Sequence, residues 1–190
     1  MFVHNWMSAP AVVIPPVVPA EAALGFMDRR QIRRLPVVDD GRLVGIVTRS
    51  DLMAALGKGL KKNRVGGLMV DDIMSRKPLT VLQEETLERA AEIMLEKKIS
   101  GLPVVDEDRV VGIITESDIF RALCRMLGIG EKGARVVMSV KDDEDLFAVV
   151  KKRLNGLGMR SLATVHDASL GRWDVVVRAR GRVSAGKNGS

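Results

Sequence analysis

Leu102-Pro103-Val104-Val105-Asp106-Glu107-Asp108-Arg109-Val110-Val111-Gly112-Ile113-Ile114-Thr115-Glu116-Ser117-Asp118 reads as two short apolar strands joined by an acidic turn, with a helix entered at Thr115. The chain contains this passage twice. Its first copy is Leu35-Pro36-Val37-Val38-Asp39-Asp40-Gly41-Arg42-Leu43-Val44-Gly45-Ile46-Val47-Thr48-Arg49-Ser50-Asp51, at a constant offset of 67 residues. An internal repeat of this length is an architectural statement, because each copy is one supersecondary unit that needs a neighbour to cover its apolar face.

The repeat extends upstream without a gap. Met7-Ser8 matches Met74-Ser75, Ala23 matches Ala90, Met27 matches Met94 and Ile32 matches Ile99. Ala20, Ala23, Leu24 and Met27 fall at helical spacing, as do Leu87, Ala90, Ala91 and Met94, so each copy predicts one amphipathic helix. Pro19 suits a first helical turn, and Gln83-Glu84-Glu85 places anionic charge at the start of the second helix. Each unit therefore reads as short strand, helix, strand, tight turn, strand, helix. The turns are Asp39-Asp40-Gly41 and Asp106-Glu107-Asp108. The closing helices run from about Ser50 to Leu56 and from Ser117 to Leu127, with Gly57 and Gly128 as stops. The two copies are expected to pack as a pseudo-twofold pair.

At 190 residues the chain has room for one or two domains. A single cysteine, Cys124, excludes an internal disulfide framework and suits a reducing cytoplasm, where it reads as a small buried hydrophobe. No stretch approaches the ~20 apolar residues that span a bilayer, and Met1 to Ser8 lacks a cationic leader region. A soluble cytoplasmic protein without a membrane partner is the expectation. The net charge of +6 is unevenly placed. Between Asp28 and Arg64 there are ten Lys/Arg against four Asp/Glu, whereas the equivalent window Leu95 to Glu131 has five against seven. One copy is cationic and its twin is not. Such a patch suits a phosphorylated small molecule, nucleic acid or an anionic surface. With Tyr absent and aromatics scarce, a stacking platform for nucleic acid is lacking.

Residues 58–68 form a basic, glycine-containing linker. After a short connection at 129–133, Ala134 to Val140 reads as a strand and Asp143 to Leu154 as a helix. Ser161 to Val165 and Trp173 to Val177 read as two more strands, and 183–190 as a flexible tail. The acidic run Lys141-Asp142-Asp143-Glu144-Asp145 reads as helix N-terminal charge rather than a metal site. No zinc spacing, nucleophile–base pairing, phosphate-binding glycine loop or dinucleotide fingerprint is present, so an enzyme is not expected and no cofactor is required.

The chemistry-bearing residues recur with the repeat. Thr48-x-x-Asp51 and Thr115-x-x-Asp118 sit where a strand ends and a helix begins. The spacing fits a helix capping box, in which the Asp reaches back to the N–H of the cap. It also fits an anion site, since open N–H groups at a helix start attract phosphate.

The paired pattern Leu-Pro-Val-Val-Asp, Val-Gly-Ile, Thr-x-Ser-Asp resembles a tandem CBS (cystathionine-β-synthase) domain, or Bateman module. The resemblance covers Met1 to about Leu127, with one unit at 1–57 and the other at 69–128. The segment 134–182 resembles a partial ACT domain, and the domain order is similar to that of the acetoin utilisation family. The implied fold class is α/β (α+β): two pseudo-twofold CBS units followed by an ACT-like βαββ segment. The resemblance implies a non-catalytic regulatory module that binds adenine nucleotides (AMP, ADP or ATP), or S-adenosylmethionine, between paired units. It also implies a homodimer, with a protein partner for the ACT-like segment. Under it, Thr48, Ser50, Thr115 and Ser117 would donate to phosphate. Asp51 and Asp118 would hold ribose hydroxyls. Val13 and Ile14 with Leu35-Pro36, or Thr80 and Val81 with Leu102-Pro103, would form the adenine slot. Where the first copy has Arg33, Arg34 and Arg49, the second has Ser100, Gly101 and Glu116. The cleft on Thr48 and Asp51 is therefore expected to prefer the more phosphorylated ligand. The alternatives are an oligomerisation scaffold with non-binding clefts and a basic-patch nucleic-acid binder.

Overall fold

The computed structural model describes residues 1–57 and 67–181, in two compact units, Met1–Ile119 and Phe120–Ser190. The expected basic linker falls almost wholly outside the described residues, and so does the expected tail.

In the first unit, α1 (Ala20–Arg30) precedes the hairpin β1 (Arg34–Asp39) and β2 (Arg42–Thr48), and α2 (Arg49–Gly57) follows. The second copy gives α3 (Leu87–Lys97), β5 (Gly101–Asp106), β6 (Arg109–Thr115) and α4 (Glu116–Met126). Both hairpins are antiparallel and have the same irregularity, between Val37 and Val38 and between Val104 and Val105. The turns are tighter than the three-residue reading. Asp40 and Gly41 both take positive φ, 45° and 78°, as a two-residue hairpin turn whose twist matches its strands requires. In the second copy only Glu107, at φ 53°, does so.

Two expectations about helix ends are corrected. Gly57 lies within α2 instead of beyond it. The start of α3 is held by Thr86, whose hydroxyl accepts the Arg89 N–H at 3.2 Å, not by charge from Gln83-Glu84-Glu85 alone. The helices α1 and α3 end alike, with Gln31 and Lys98 in the left-handed region at φ 54° and 53°.

The leading strand of each copy pairs with the other copy's hairpin. Strand β3 (Ser75–Arg76) opens the second copy but pairs antiparallel with β2 of the first, through Gly45 and Ile46. Its counterpart Ser8 bonds Ile113 reciprocally at 2.9 and 3.0 Å. The exchange continues outward: Val70 N–H donates to the Val18 carbonyl at 2.9 Å, and Val3 N–H to the Glu85 carbonyl at 2.8 Å. Both pairs obey the offset of 67. Val70 and Met74 thus join Met27, Leu35, Val37, Val47 and Leu52 in the core of the first copy. Glycine is needed where the exchanged strands cross. A Cβ on Gly45 would lie 3.0 Å from the Ser75 carbonyl and 2.5 Å from the Met74 sulfur. On Gly112 it would lie 3.1 Å from the Ser8 carbonyl and 2.6 Å from the Met7 sulfur.

A second, parallel connection also repeats. Strand β4 (Val81–Leu82) pairs with β5 at Val104 and Val105, and Ile14 bridges Val37 in the same sense.

The second unit holds β7 (Ala134–Lys141), α5 (Leu146–Leu154), β8 (Met159–Asp167) and β9 (Arg172–Ala179), in sheet order β7-β9-β8. Val136, Val140, Val150, Leu154, Val175 and Val177 form its core. The helix starts later than expected, because Asp145 caps it by accepting the Phe147 and Ala148 N–H groups at 2.9 and 3.1 Å. Asp142 and Glu144 belong to the turn before it; Glu144 accepts the Lys141 N–H. No helix among the described residues is long and apolar enough to cross a membrane.

Candidate functional site

The two strand-to-helix passages are built alike. Asp51 Oδ2 accepts the Thr48 N–H at 3.0 Å and the Thr48 hydroxyl at 2.6 Å, and the Asp51 N–H returns to Thr48 Oγ1 at 3.2 Å. Asp118 Oδ2 accepts the Thr115 N–H at 2.9 Å and the Thr115 hydroxyl at 2.6 Å. The first is a capping box with Asp in the place of the usual Glu or Gln, and the second has the same carboxylate arm. The carboxylates are thus committed to their own helix entries, and any ribose contact would add to that role.

Burial separates the twins. Asp118 is 3% exposed and is the one buried charged residue among those described, whereas Asp51 is half-buried. A buried carboxylate needs partners. Besides Thr115, Asp118 lies in the field of the Arg34 guanidinium.

Arg34 is where the structure departs furthest from the expectation. It belongs to the first copy, yet its guanidinium lies on the second. Nη2 donates to Ser100 Oγ at 2.7 Å, and Nη1 donates to the Ser100 carbonyl. That carbonyl also accepts the Glu116 N–H at 3.3 Å, so it sits at the mouth of α4. Burial pushes the Arg34 guanidinium down from its ordinary value, while Glu116 opposes the shift. Arg49 is also diverted. Its Nε donates to Asp28 Oδ1 at 2.9 Å and its Nη1 contacts the Met53 sulfur. Of the three arginines expected to favour phosphate at the Thr48–Asp51 cleft, Arg34 is turned to the second copy and Arg49 to α1, which leaves Arg33, an exposed side chain. The expected preference of that cleft for the more phosphorylated ligand then rests on Arg33 alone. Nothing in Leu-Pro-Val-Val or in the spacing signals the crossing, because only tertiary packing brings Arg34 to Ser100.

The expected adenine slot divides. Ile14, Leu35, Val81 and Leu102 are core side chains, 6%, 0%, 2% and 0% exposed. They offer a ligand backbone at most. Pro36 and Pro103 are buried beside them. Ile14 N–H donates to the Pro36 carbonyl at 3.1 Å, so that carbonyl already has a partner. Val13 is exposed and Thr80 half-buried, which leaves these two to present side chains. Ser50 and Ser117 are exposed in the first turns of α2 and α4. The Arg34 guanidinium lies against Ser100 and Gly101 and in the field of Asp118, which bonds Thr115, whereas Thr48 and Asp51 pair in the first copy.

Comparison with known proteins bears on the same residues. A family model described as "CBS domain" matches residues 3–58 and 70–125. The CBS-domain pair of protein MJ0100, solved with 5′-methylthioadenosine and S-adenosyl-L-methionine, is 34% identical at a TM-score of 0.59, covering 65% of this chain and 95% of that one. CBSX2, a protein of Arabidopsis thaliana, solved in complex with AMP, is 34% identical at 0.59, covering 65% and 96%. An AcuB acetoin utilization protein of Vibrio cholerae is 29% identical at 0.62, covering 70% and 98%. Several curated relatives are longer proteins, of which this chain spans less than two thirds.

Proposed function

Since the chain belongs to the CBS-domain family through two copies that fill residues 3–58 and 70–125, we propose that it is a non-catalytic regulatory module for adenine nucleotides. The ligand binds beside the Thr–x–x–Asp entries, with AMP, ADP and ATP as the candidates and S-adenosylmethionine as the variant. The observation that carries this reading is an arginine of one copy bonded to Ser100 of the other, within the field of the Asp118 that holds Thr115. A helix entry, hydroxyl donors, a carboxylate and a guanidinium are the groups that recognise a ribose phosphate. Relatives solved with AMP and with S-adenosylmethionine support the ligand class.

Signalling follows from the exchanged strands. A ligand bound at Ser100 and Thr115 touches both copies at once, so differential affinity for two packings of the pair would shift their balance. The βαββ unit, read as ACT-like, would receive that shift or hand it to a protein partner. The test is a calorimetric titration of the full chain with AMP, ADP, ATP and S-adenosylmethionine. Saturable heat with at least one of them supports the reading, and none with any of them overturns it.

A second reading, self-association, has its own observation. Phe120, Leu123 and Met126 form an exposed apolar row on α4, 68%, 47% and 51% exposed. Such a row suits a helix-to-helix contact with a second copy. Light scattering on the purified protein distinguishes a dimer from a monomer.

A further inference from the structure

We propose that Arg34 sets the ligand class of the second cleft, admitting adenosine ligands with an anionic 5′ group and discriminating against those with a positive charge there. This rests on the nucleotide reading above and adds to it which ligand, which cleft and which residue decides.

Three observations carry it. The first is position. The guanidinium is held at the mouth of α4 by the hydroxyl and carbonyl of Ser100, beside Gly101, whose strand partner is Thr115, and in the field of Asp118. A ligand between the Ser100-Gly101 strand end and the α4 entry must meet it.

The second is asymmetry. The twin of Arg34 is Gly101, so no arginine returns from the second copy to the first at that position. The space is also taken. A Cβ built on Gly101 runs into the Arg34 guanidinium, and its three nearest neighbours are all Arg34 side-chain atoms. Gly101 has no positive φ that would demand glycine. The absence of a side chain there leaves room for Arg34.

The third is charge. Arg34 feels Glu116, Arg33 and Asp118. With Arg34 in place these four groups cancel; without it Glu116 and Asp118 outweigh Arg33 among them. Its present hydrogen-bond acceptors, the Ser100 oxygens, are neutral. A phosphate offers the same fork two anionic oxygens, and hydrogen bonds between two ionised groups are about twice as strong as neutral ones. A sulfonium-bearing ligand offers the guanidinium a like charge. In the first copy, Arg49 is engaged by Asp28.

The test uses the full chain carrying Asp51→Asn, which silences the first cleft, and titrates it with AMP and with S-adenosylmethionine. Adding Arg34→Ala should weaken AMP about tenfold to a hundredfold, the value of a charged hydrogen bond, and leave S-adenosylmethionine unchanged or tighter. Gly101→Ala evicts the guanidinium without deleting it and should shift the ratio the same way. It covers the case in which Arg34→Ala misfolds. Arg34→Lys should fall between wild type and Arg34→Ala. An AMP to S-adenosylmethionine preference unchanged in both Arg34→Ala and Gly101→Ala, with AMP still bound, overturns the assignment of Arg34 alone. So does loss of all AMP binding on Asp51→Asn in a protein that otherwise binds it. Absence of binding to the unaltered chain overturns the nucleotide reading and this one together.

Discussion

Two aspartates with the same neighbours in sequence carry different loads. Asp51 and Asp118 make the same pair of contacts to the threonine three residues earlier, but Asp118 is buried and Asp51 is not. Removing Asp118 leaves the half-buried Thr115 N–H and hydroxyl without an acceptor and empties a site that is 3% exposed, at a cost of about 1–3 kcal/mol. Removing Asp51 exposes the equivalent groups to water and costs about 1 kcal/mol, as for an ordinary cap. Urea unfolding of Asp118→Ala and Asp51→Ala should rank them in that order, and equal losses would contradict it. The capping box was legible in the spacing Thr-x-x-Asp. The burial difference was not, because it depends on tertiary packing that the local pattern does not contain. The contrast of Arg33-Arg34 with Ser100-Gly101 points to the first cleft, because arginine suits phosphate oxygens. A side chain at a strand start can reach across to the paired copy, and the local pattern does not say which way it points.

At the scale of elements, the strained turn residues offer a test of the hairpins. Glu107 occupies the left-handed region at φ 53°, where a side chain costs roughly 1 kcal/mol relative to glycine. Glu107→Gly should therefore stabilise the protein by about that amount, read as a raised urea midpoint. Gly45→Ala should act oppositely. Its Cβ meets the Ser75 carbonyl, which is backbone and cannot swing aside as Met74 can, so a loss of about 1–3 kcal/mol is expected. In the second unit, the Ser169 hydroxyl, followed by the Leu170 and Ser169 N–H groups, holds the Asp167 carboxyl below its ordinary value. A depressed folded value means that this turn is favoured above the unfolded pKa of the carboxyl and is lost as pH falls through the folded one. The Ser169 and Leu170 amide resonances should move together over that acid range; movement only near neutral pH would contradict the assignment. Helix faces were legible from their spacing, and so were both hairpins. The acidic run Asp142-Asp143-Glu144-Asp145 resembles a helix entry along its whole length, whereas Asp145 caps α5.

For the whole molecule, the offset of 67 residues announced the pair, and a matching exchange of strands completes it. Ser75 joins the first hairpin and Ser8 the second. This exchange was not legible, since the leading strands carry the same residues whichever sheet they join. It has a physical consequence: each copy lacks a sheet neighbour and part of its core without the other, so the two should unfold as one. A ligand that binds only the folded pair should raise the stability of both copies together, by about 2.7 kcal/mol at a hundredfold excess over its dissociation constant. The most direct measurement is calorimetric titration of AMP into the unaltered chain and into the Asp51→Asn, Asp118→Asn double variant, in which asparagine can still accept the cap N–H. The account predicts saturable heat from the first and none from the second, with similar melting temperatures. Equal heats from both, or no heat from the unaltered chain, would contradict it.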